Sequence, residues 1–406
     1  MIRRVPGLVL IAVLGGLAAW LWQADLPSRV PHLAARAAFT QAQIDRAADY
    51  REPQYLLAVA ALVLGPAAGV AWARWGRACV VRGLPPALAG GLAAAAAATV
   101  AAAVLLPLGY VGHVRAVNAG LDLRSTAAWA RDAGVGLAAW AAGVAVAYAL
   151  CLAIARRARE PWLAVSLAAW VAVAAFVIVQ PVLLDPLFAS TRPVHDRTFQ
   201  TLIRSVEHQV GAKPGSVSVA DASARTTEEN AFVDGLGPTE RLVVYDTVLR
   251  HAPVNQTRAL LAHELSHVDR RHTLKGVLWF GVLGLPALWA VLAVCGRVAR
   301  RRGLDGVRDP RAASIVVAGL LVAAALLTPV ENGISRRYEA EADWVALQAT
   351  GDGDGMAGLQ KRLAVANLSN PEPPGWAVAL LFDHPPVMDR ITVAHAYGSS
   401  SSSSSP

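Results

Sequence analysis

Two histidines four residues apart, with a glutamate directly after the first, occur in the segment LLAHELSHVDRRH at residues 260–272. Residues i and i+4 of an α-helix lie on one face about 6 Å apart, so His263 and His267 can bind one metal ion. Zinc accepts imidazole ligands in a tetrahedral site, and a catalytic zinc ion keeps one position for water, whose pKa it lowers toward about 7. Glu264 is then placed to take the proton from that water as it attacks a peptide carbonyl. The spacing predicts a metallopeptidase site on a helix.

Such a site needs a third protein ligand, and two segments offer one. His272 lies nine residues after His263, whereas the metzincin pattern requires its third histidine at the tenth residue, where this chain has threonine. The segment SRRYEAEAD offers Glu339, with Asp343 one turn later on the same helical face, placed to orient a ligand histidine. Glu341 lies about 200° from Glu339 around that helix, so the two glutamates cannot both face the ion. Glu339 is the predicted third ligand.

The composition of the chain is that of a membrane protein. Of its 406 residues, 55% are hydrophobic and 16% are charged, and the mean hydropathy of +0.42 is too high for an ordinary soluble domain of this size. The net charge of +8 is spread over arginine-rich loops and does not form a basic stripe with interleaved aromatic residues. This distribution argues against nucleic-acid binding and points to membrane topology.

Seven apolar segments are long enough to cross a bilayer core of about 30 Å. They are Val5–Trp22, Tyr55–Ala73, Leu84–Gly112, Ala133–Ala155, Trp162–Leu184, Gly276–Gly296 and Ala312–Val330. A signal peptide is the alternative for the first segment, but its 18 residues exceed the usual apolar core of a signal peptide and favour a span. The chain is therefore predicted to contain seven transmembrane helices.

The polar segments complete a mainly α-helical, multi-pass membrane fold. We expect five spans in residues 1–184, a small α+β peptidase insert with the HExxH motif in 185–275, and spans six and seven in 276–330. A helical C-terminal region in 331–397 carries the third ligand, and the serine-rich tail at 398–406 is expected to be disordered. Because two spans separate the insert from the C-terminal region, both lie on one membrane face and can share a site.

Four motifs in this order give the chain a resemblance to the CAAX prenyl protease 1 family of integral-membrane zinc endopeptidases with seven spans. HELSH resembles the family's HExxH, and SRRYEAEAD resembles its SRRxExxAD. NAFVDGLGPTERLVVYDTVL is similar to its NAYxxG…RIVLFDTLL segment, and DHPPVMDRI to its HPPxxxR signature. The resemblance covers nearly the whole chain apart from the serine tail. It implies a gluzincin-type site with one Zn²⁺ per chain, bound by His263, His267 and Glu339.

The resemblance also implies roles for residues away from the metal. Asn230, Ala231 and Phe232 would form an edge strand that pairs with the backbone of an extended substrate. His384 and Arg390 would face the active site and steady the substrate carbonyl or the oxyanion. The structural alternatives are a turn or cap at Asn230, a turn at His384 and a surface salt bridge at Arg390. The family also encloses its zinc in a chamber walled by the seven helices.

The arginine distribution predicts which membrane face carries the site. Loops on the side of the N-terminus contain fourteen arginines, which are Arg3, Arg4, Arg74, Arg77, Arg82, Arg156, Arg157, Arg159, Arg297, Arg300, Arg301, Arg302, Arg308 and Arg311. The short loops on the other side contain seven, which are Arg29, Arg36, Arg46, Arg51, Arg115, Arg124 and Arg131. The positive-inside rule therefore places the zinc domain outside the cytoplasm. Eukaryotic family members face the cytosol, so the resemblance implies the opposite orientation.

The predicted activity is zinc-dependent endopeptidase hydrolysis of peptide or protein substrates by an enzyme embedded in the lipid bilayer. Prenylated CAAX peptides are the substrates after which the family is named. The alanine- and arginine-rich, lysine-poor composition suggests a bacterial source, for which membrane-associated or exported proteins are the more natural substrates. A metal transporter is one alternative, but it predicts ionisable residues within the spans, which are nearly free of charge. A catalytically inactive scaffold is another, and the intact Glu264 argues against it.

Overall fold

The computed structural model describes residues 5–27, 33–75 and 83–402, and most of these residues are helical. The helices are α1 Val5–Leu21, α2 Gln41–Trp75, α3 Pro86–Ala103, α4 Leu106–Ala119, α5 Thr126–Arg157, α6 Pro161–Leu183, α7 Arg197–Val210, α8 Asp246–His251, α9 Val254–Asp269, α10 His272–Arg301, α11 Ala313–Thr350, α12 Gly353–Ala366, α13 Gly375–Leu381 and α14 Val387–Ser402. The strands are β1 Thr191–Pro193, β2 Ser216–Ala220, β3 Ala231–Asp234 and β4 Arg241–Tyr245. The predicted combination of a helical membrane protein with a small α+β insert is confirmed.

Within the described residues, six helices are long and apolar enough to cross a membrane, namely α2, α3, α5, α6, α10 and α11. The first predicted span is helix α1, which has 17 residues and is shorter than these six. The third predicted span, Leu84–Gly112, is divided into α3 and α4 at Val104 and Leu105. Pro107 lies in the first turn of α4, where the missing N–H and the ring prevent a continuous helix. The expected number of seven spans is therefore close to the observed one.

Two of the membrane helices continue directly into the polar part of the protein. Helix α11 runs unbroken through 38 residues and carries Glu339 and Asp343 on the segment beyond its apolar part. Helix α10 begins at His272, close after the end of α9, and Arg271 between them has a left-handed backbone with φ of 54°. The divisions expected at residues 275 and 330 fall within these continuous helices. The membrane helices are therefore rigid supports for the HExxH helix and for Glu339.

The insert contains a four-stranded sheet with the order β1-β2-β4-β3. Strands β2 and β4 are parallel, and the other two pairs are antiparallel, with Ala231 opposite Val244 and Phe232 opposite Val243. Val244 and Leu242 are fully buried in a core that also contains Leu261 of α9. Strand β3 lies at the edge of this sheet and next to α9. The sheet thus fixes the position of the HExxH helix.

The C-terminal helices complete the same core. Met356 and Leu359 of α12, and Met388 and Ile391 of α14, are almost fully buried together with Leu347 of α11. Helix α14 continues to Ser402, so the first residues of the serine-rich segment are helical, and residues 403–406 lie outside the described part. Helix α12 packs against both α14 and the HExxH helix α9.

The loop between α4 and α5 is joined to the insert by a bridge between Asp122 and Thr226. Asp122 also lies 2.8 Å from Nδ1 of His113 through its Oδ2 atom. The His113 ring is buried and stacks on Trp129 with an angle of 16° between the rings. This histidine–carboxylate pair is structural, because it anchors a membrane loop to the insert.

Candidate metal centre

The three predicted ligands meet at one point between α9 and α11. Nε2 of His263 lies 3.3 Å from Nε2 of His267. The Oε2 atom of Glu339 is 3.2 Å from His263 Nε2, and its Oε1 atom is 3.5 Å from His267 Nε2. One donor atom from each residue lies within 4.8 Å of the other two. Two imidazoles and one carboxylate therefore converge from helices far apart in the sequence.

Packing of α9 decides which way the histidines point. Leu261, Ala262 and Leu265 have no exposed surface and face the core of the insert. His263 and Glu264 are buried as well, with exposed fractions of 5% and 7%. Helical geometry then places His263 and His267 together on the side that faces α11. The apolar side of the helix thus fixes the orientation of the ligand side.

The donor atoms fit a divalent cation. Oε2 of Glu339 is buried and lies 3.2 Å from the Nε2 atoms of both His263 and His384, and a buried carboxylate is favourable only when positive charge lies close to it. Burial lowers the pKa of His267 to about 3, so its imidazole is neutral, as metal binding requires. Burial also lowers the pKa of His263, but the carboxylates of Asp343 and Glu339 outweigh this effect and raise it to about 10. The site therefore attracts positive charge.

Asp343 and Arg390 lie on the side of His263 that faces away from Glu339. Nδ1 of His263 lies 2.9 Å from Oδ1 of Asp343, on the ring edge opposite the nitrogen that faces Glu339. The Nε and Nη2 atoms of Arg390 donate to the two oxygens of Asp343, both at 2.7 Å. Both side chains are largely buried, so Arg390 is not part of a surface salt bridge. The pair holds the ring of His263 in a single orientation.

Glu264 is a buried carboxyl beside the predicted ligands. Burial raises the pKa of Glu264 to about 7, with a smaller contribution of the same sign from Glu339, while His263 acts in the opposite direction. A carboxyl with a pKa near neutrality can both accept and donate a proton at ordinary pH. The sequence prediction of a proton-transfer group next to the metal is consistent with this environment.

His384 reaches the site from the segment between α13 and α14. Its Nε2 atom lies 3.2 Å from Oε2 of Glu339, and its Nδ1 atom lies 2.8 Å from Oδ1 of Asp383. Half of its side chain is exposed, in contrast to the buried ligands. His384 therefore stands on the open side of the candidate metal centre, where a substrate would enter.

The segment predicted to bind substrate is the start of strand β3. Asn230 accepts a hydrogen bond from the backbone N–H of Tyr245 through its carbonyl, at 3.0 Å, and Ala231 and Phe232 pair with β4. The other edge of β3 has no partner strand among the described residues. This edge is available for backbone pairing, and substrate binding by these residues remains a prediction.

An apolar cavity lies between the membrane helices. It has a volume of about 570 Å³ and lies between α5, α6, α10 and α11, with Trp170 and Phe280 in its wall. A second cavity of about 340 Å³ is lined by His267 and Glu339 and shares Phe280 and Glu331 with the first. Two of the candidate ligands therefore border the smaller cavity, which adjoins the larger apolar cavity between the membrane helices.

Two residues next to the ligands were not predicted to have a role. Nδ1 of His272 lies 2.9 Å from Nδ1 of His267, and Nε2 of His272 lies 3.1 Å from Oε2 of Glu341. In the sequence, both residues are alternatives to Glu339 as the third metal ligand. The place of His272 behind His267 could not be read from helical periodicity, because the left-handed backbone of Arg271 interrupts it.

Comparisons with known proteins agree on one family. The sequence model of peptidase family M48 matches residues 193–397. An uncharacterized metalloprotease of Bacillus subtilis, YhfN, is 25% identical over 301 residues, which cover 71% of this chain and 69% of that protein. The CAAX prenyl protease 1 homolog of Arabidopsis thaliana is 27% identical over 241 residues, covering 57% of this chain and 55% of the relative.

Two yeast proteins are also similar to this chain. CAAX prenyl protease 1 of Saccharomyces cerevisiae is 25% identical over 231 residues, covering 52% of this chain and 51% of the relative. The chain thus spans about half the length of the curated CAAX prenyl proteases that it matches. The crystal structure of Ste24p from S. mikatae superimposes with a TM-score of 0.76 at 19% identity, covering 95% of this chain and 96% of that one. The two proteins share their fold over almost the whole chain.

Proposed function

Because the chain belongs to peptidase family M48, we propose that it is an integral-membrane zinc endopeptidase. His263, His267 and Glu339 would hold one Zn²⁺ per chain, and Glu264 would be the catalytic base. The observation that carries this proposal is the convergence of two imidazole nitrogens and one buried carboxylate beside a second buried carboxyl. This donor set is that of catalytic zinc sites, which have three protein ligands and one free position.

The residues around the metal would have different roles in peptide hydrolysis. A bound zinc ion supplies Lewis-acid chemistry, since it lowers the pKa of a water molecule and polarises a carbonyl oxygen. The Glu264 carboxylate would accept the proton of the attacking water and pass it to the amide nitrogen as the peptide bond breaks. His384, half-exposed on the open side, would donate a hydrogen bond to the carbonyl oxygen of the substrate.

Arg390 would act through Asp343. Its guanidinium forms two hydrogen bonds with that carboxylate, which in turn lies against His263. An arginine held in this way fixes the orientation of a ligand histidine, and such partners affect metal affinity. We therefore assign Arg390 a positioning role in addition to the oxyanion role that the sequence resemblance suggests.

The substrate would be a peptide or protein that lies extended along the free edge of β3. Backbone groups of Asn230, Ala231 and Phe232 would pair with it, which places its scissile bond near α9 because β3 packs against this helix. The apolar cavity between the membrane helices favours substrates that enter from, or are associated with, the bilayer. The alanine- and arginine-rich, lysine-poor composition suggests a bacterial source. For a bacterial enzyme, membrane-associated or exported proteins are more natural substrates than prenylated ones.

The first test of this proposal is metal removal. The purified protein in detergent is expected to contain one zinc ion per chain by elemental analysis and to cleave an internally quenched peptide. A strong chelator should abolish cleavage, because the attacking water and the substrate carbonyl lose their Lewis acid, and stoichiometric zinc should restore it. Cleavage that persists after the metal content has fallen to zero would contradict a metallopeptidase.

The membrane orientation is a separate part of the proposal. Arg302 donates to the carbonyl of Ala73, and Arg308 donates to the carbonyls of Ala155 and Ala158, so the arginine-rich ends of α2, α5 and α10 meet. These ends lie one membrane crossing away from the candidate metal centre. By the positive-inside rule the arginine-rich end faces the cytoplasm and the metal centre faces outward. Of the arginines that support this orientation, Arg3, Arg4, Arg77 and Arg82 lie outside the described residues, as does Arg29 of the opposite set.

Cysteine labelling in intact bacterial cells checks this orientation. We expect Lys213→Cys, at an exposed position of the insert, to react with a membrane-impermeant maleimide in intact cells. Asp305→Cys, in the exposed loop between α10 and α11, should react only after permeabilisation. Both variants require a background in which the three native cysteines are replaced by alanine. The reverse labelling pattern would place the metal centre in the cytoplasm.

A further inference from the structure

We propose that His272, held by Glu341, is a positioning residue that orients the ligand His267 and sets the affinity of the metal site. The inference rests on the proposed metal site. It adds to that site a second buried layer, made of residues that do not contact the ion.

The contacts form a continuous chain away from the metal position. Nδ1 of His267 faces Nδ1 of His272 at 2.9 Å, and Nε2 of His272 faces Oε2 of Glu341 at 3.1 Å. His272 is 7% exposed and Glu341 is 3% exposed, so water does not compete for either contact. A buried carboxylate and a buried histidine thus lie in line behind one ligand.

The chemistry of the rings allows one arrangement of protons in this chain. Nε2 of His267 faces the other ligands, so as a ligand it carries no hydrogen, and the hydrogen of the neutral ring lies on Nδ1. That N–H can donate only if Nδ1 of His272 accepts, which leaves the hydrogen of His272 on Nε2. This second N–H donates to Glu341. The carboxylate therefore selects the tautomer of His272, and His272 selects the tautomer of His267 that binds metal.

Glu341 is itself fixed from two other directions. Its Oε1 atom accepts a hydrogen bond from the backbone N–H of Asp25 at 3.1 Å, and Nζ of Lys275 lies 3.5 Å from its Oε2 atom. The ring of His272 stacks on Tyr338 with a centroid distance of 4.6 Å and an angle of 13°. A group with this many fixed neighbours cannot turn away from His267 without a wider rearrangement.

The break between α9 and α10 makes this arrangement possible. In an uninterrupted helix, residues five positions apart point about 140° from each other, so His272 would face away from His267. The left-handed conformation of Arg271, with φ of 54°, starts a new helix and brings the two rings to 4.9 Å between centroids. This conformation is unusual for a residue other than glycine and is consistent with a functional constraint.

Zinc release provides a readout that does not depend on turnover. The zinc-loaded protein in detergent is mixed with a chromogenic chelator, and the dissociation rate of the ion is compared among variants. His272→Phe keeps the stacking on Tyr338 but removes both polar contacts, and we expect zinc to dissociate about 10–100-fold faster than from the wild type. His272→Asn retains an acceptor oxygen at the position of Nδ1 and should restore most of the affinity.

His113→Phe is the matched control. His113 is also buried, contacts a carboxylate and stacks on an aromatic ring, but belongs to the α4–α5 region away from the ligands. We expect its zinc dissociation rate to equal that of the wild type, even if its thermal stability falls.

The outcomes separate this inference from the proposed function. If the wild type binds no zinc, the metal site itself is wrong. If the wild type binds zinc and His272→Phe releases it at the same rate, only the positioning role is overturned. If His272→Phe does not fold, His272→Gln replaces it, since the Gln amide can donate to Glu341 but places no acceptor at the position of Nδ1, which faces His267. Equal zinc release from the Gln and Asn variants would then overturn the inference.

Discussion

Replacing Glu264 with glutamine is expected to abolish peptide cleavage while zinc remains bound. The amide has nearly the same shape as the carboxylate but cannot accept the proton of the attacking water. General base catalysis contributes about 10²–10⁴ to enzymatic rates, so kcat should fall by about that factor. The measurement is cleavage of an internally quenched peptide by purified variant and wild type at equal zinc content.

Zinc content and thermal unfolding are the controls for this variant. Glu264 is not a predicted ligand, so Glu264→Gln should contain one zinc ion and should unfold no earlier than the wild type. We expect the unfolding temperature to rise, because burial of an ionisable carboxyl is unfavourable and an amide carries no charge. If Glu264→Gln cleaved the peptide at the wild-type rate, the base would have to be another group and the proposed mechanism would fail.

Replacing Glu339 with alanine is expected to remove the metal and, with it, all activity. The variant leaves two imidazoles and no carboxylate, and a catalytic zinc site normally requires three protein ligands. Loss of a residue that is hydrogen-bonded to a metal ligand already lowers metal affinity by about 10–100-fold, so loss of the ligand itself should lower it further. The measurement is zinc content after dialysis against a buffer with low free zinc, followed by the cleavage assay.

Glu331→Ala is the matched control for this variant. Glu331 lies on the same helix and in the wall of the same cavity, eight residues before the ligand. Its replacement should leave the zinc content at one per chain. A Glu339→Ala protein that retained its zinc through the same dialysis would show that the third ligand is a different residue. The assignment of Glu339, on helix α11, as a metal ligand would then be wrong.

The sequence alone indicated His263, His267 and Glu339 as candidate metal ligands. Metal binding restricts the residue types to a few, and spacing along a helix restricts which of them can act together. His263 and His267 are one turn apart, and the choice between Glu339 and Glu341 follows from their directions on a helix. The structure brings together the pair of histidines and Glu339, while Glu341 points to the other side of the site.

Hydropathy likewise predicted the membrane part of the fold. An unbroken apolar segment of about 20 residues crosses a bilayer as a helix, because a helix satisfies its own backbone hydrogen bonds. The differences are local: Pro107 divides the third span, and the seventh span continues without a break as far as Thr350. Helix continuity beyond the apolar part depends on packing against the insert, and hydropathy contains no information about such packing.

Only the tertiary structure shows which residues support the ligands on the side away from the metal position. Arg390 was expected to face the substrate, and the fold pairs it with Asp343, 47 residues away. Glu341 and His272 are 69 residues apart and meet because α10 and α11 are antiparallel neighbours next to the end of α9.

Amino-acid type and local spacing determined the pair of His263 and His267 and placed Glu339 and Asp343 on one face of another helix, because a helix fixes the directions of residues within a few turns. Which residues orient those ligands depends on one backbone angle at Arg271 and on contacts between distant helices. Such contacts arise only when the whole chain packs, because no local pattern sets the distance between two helices.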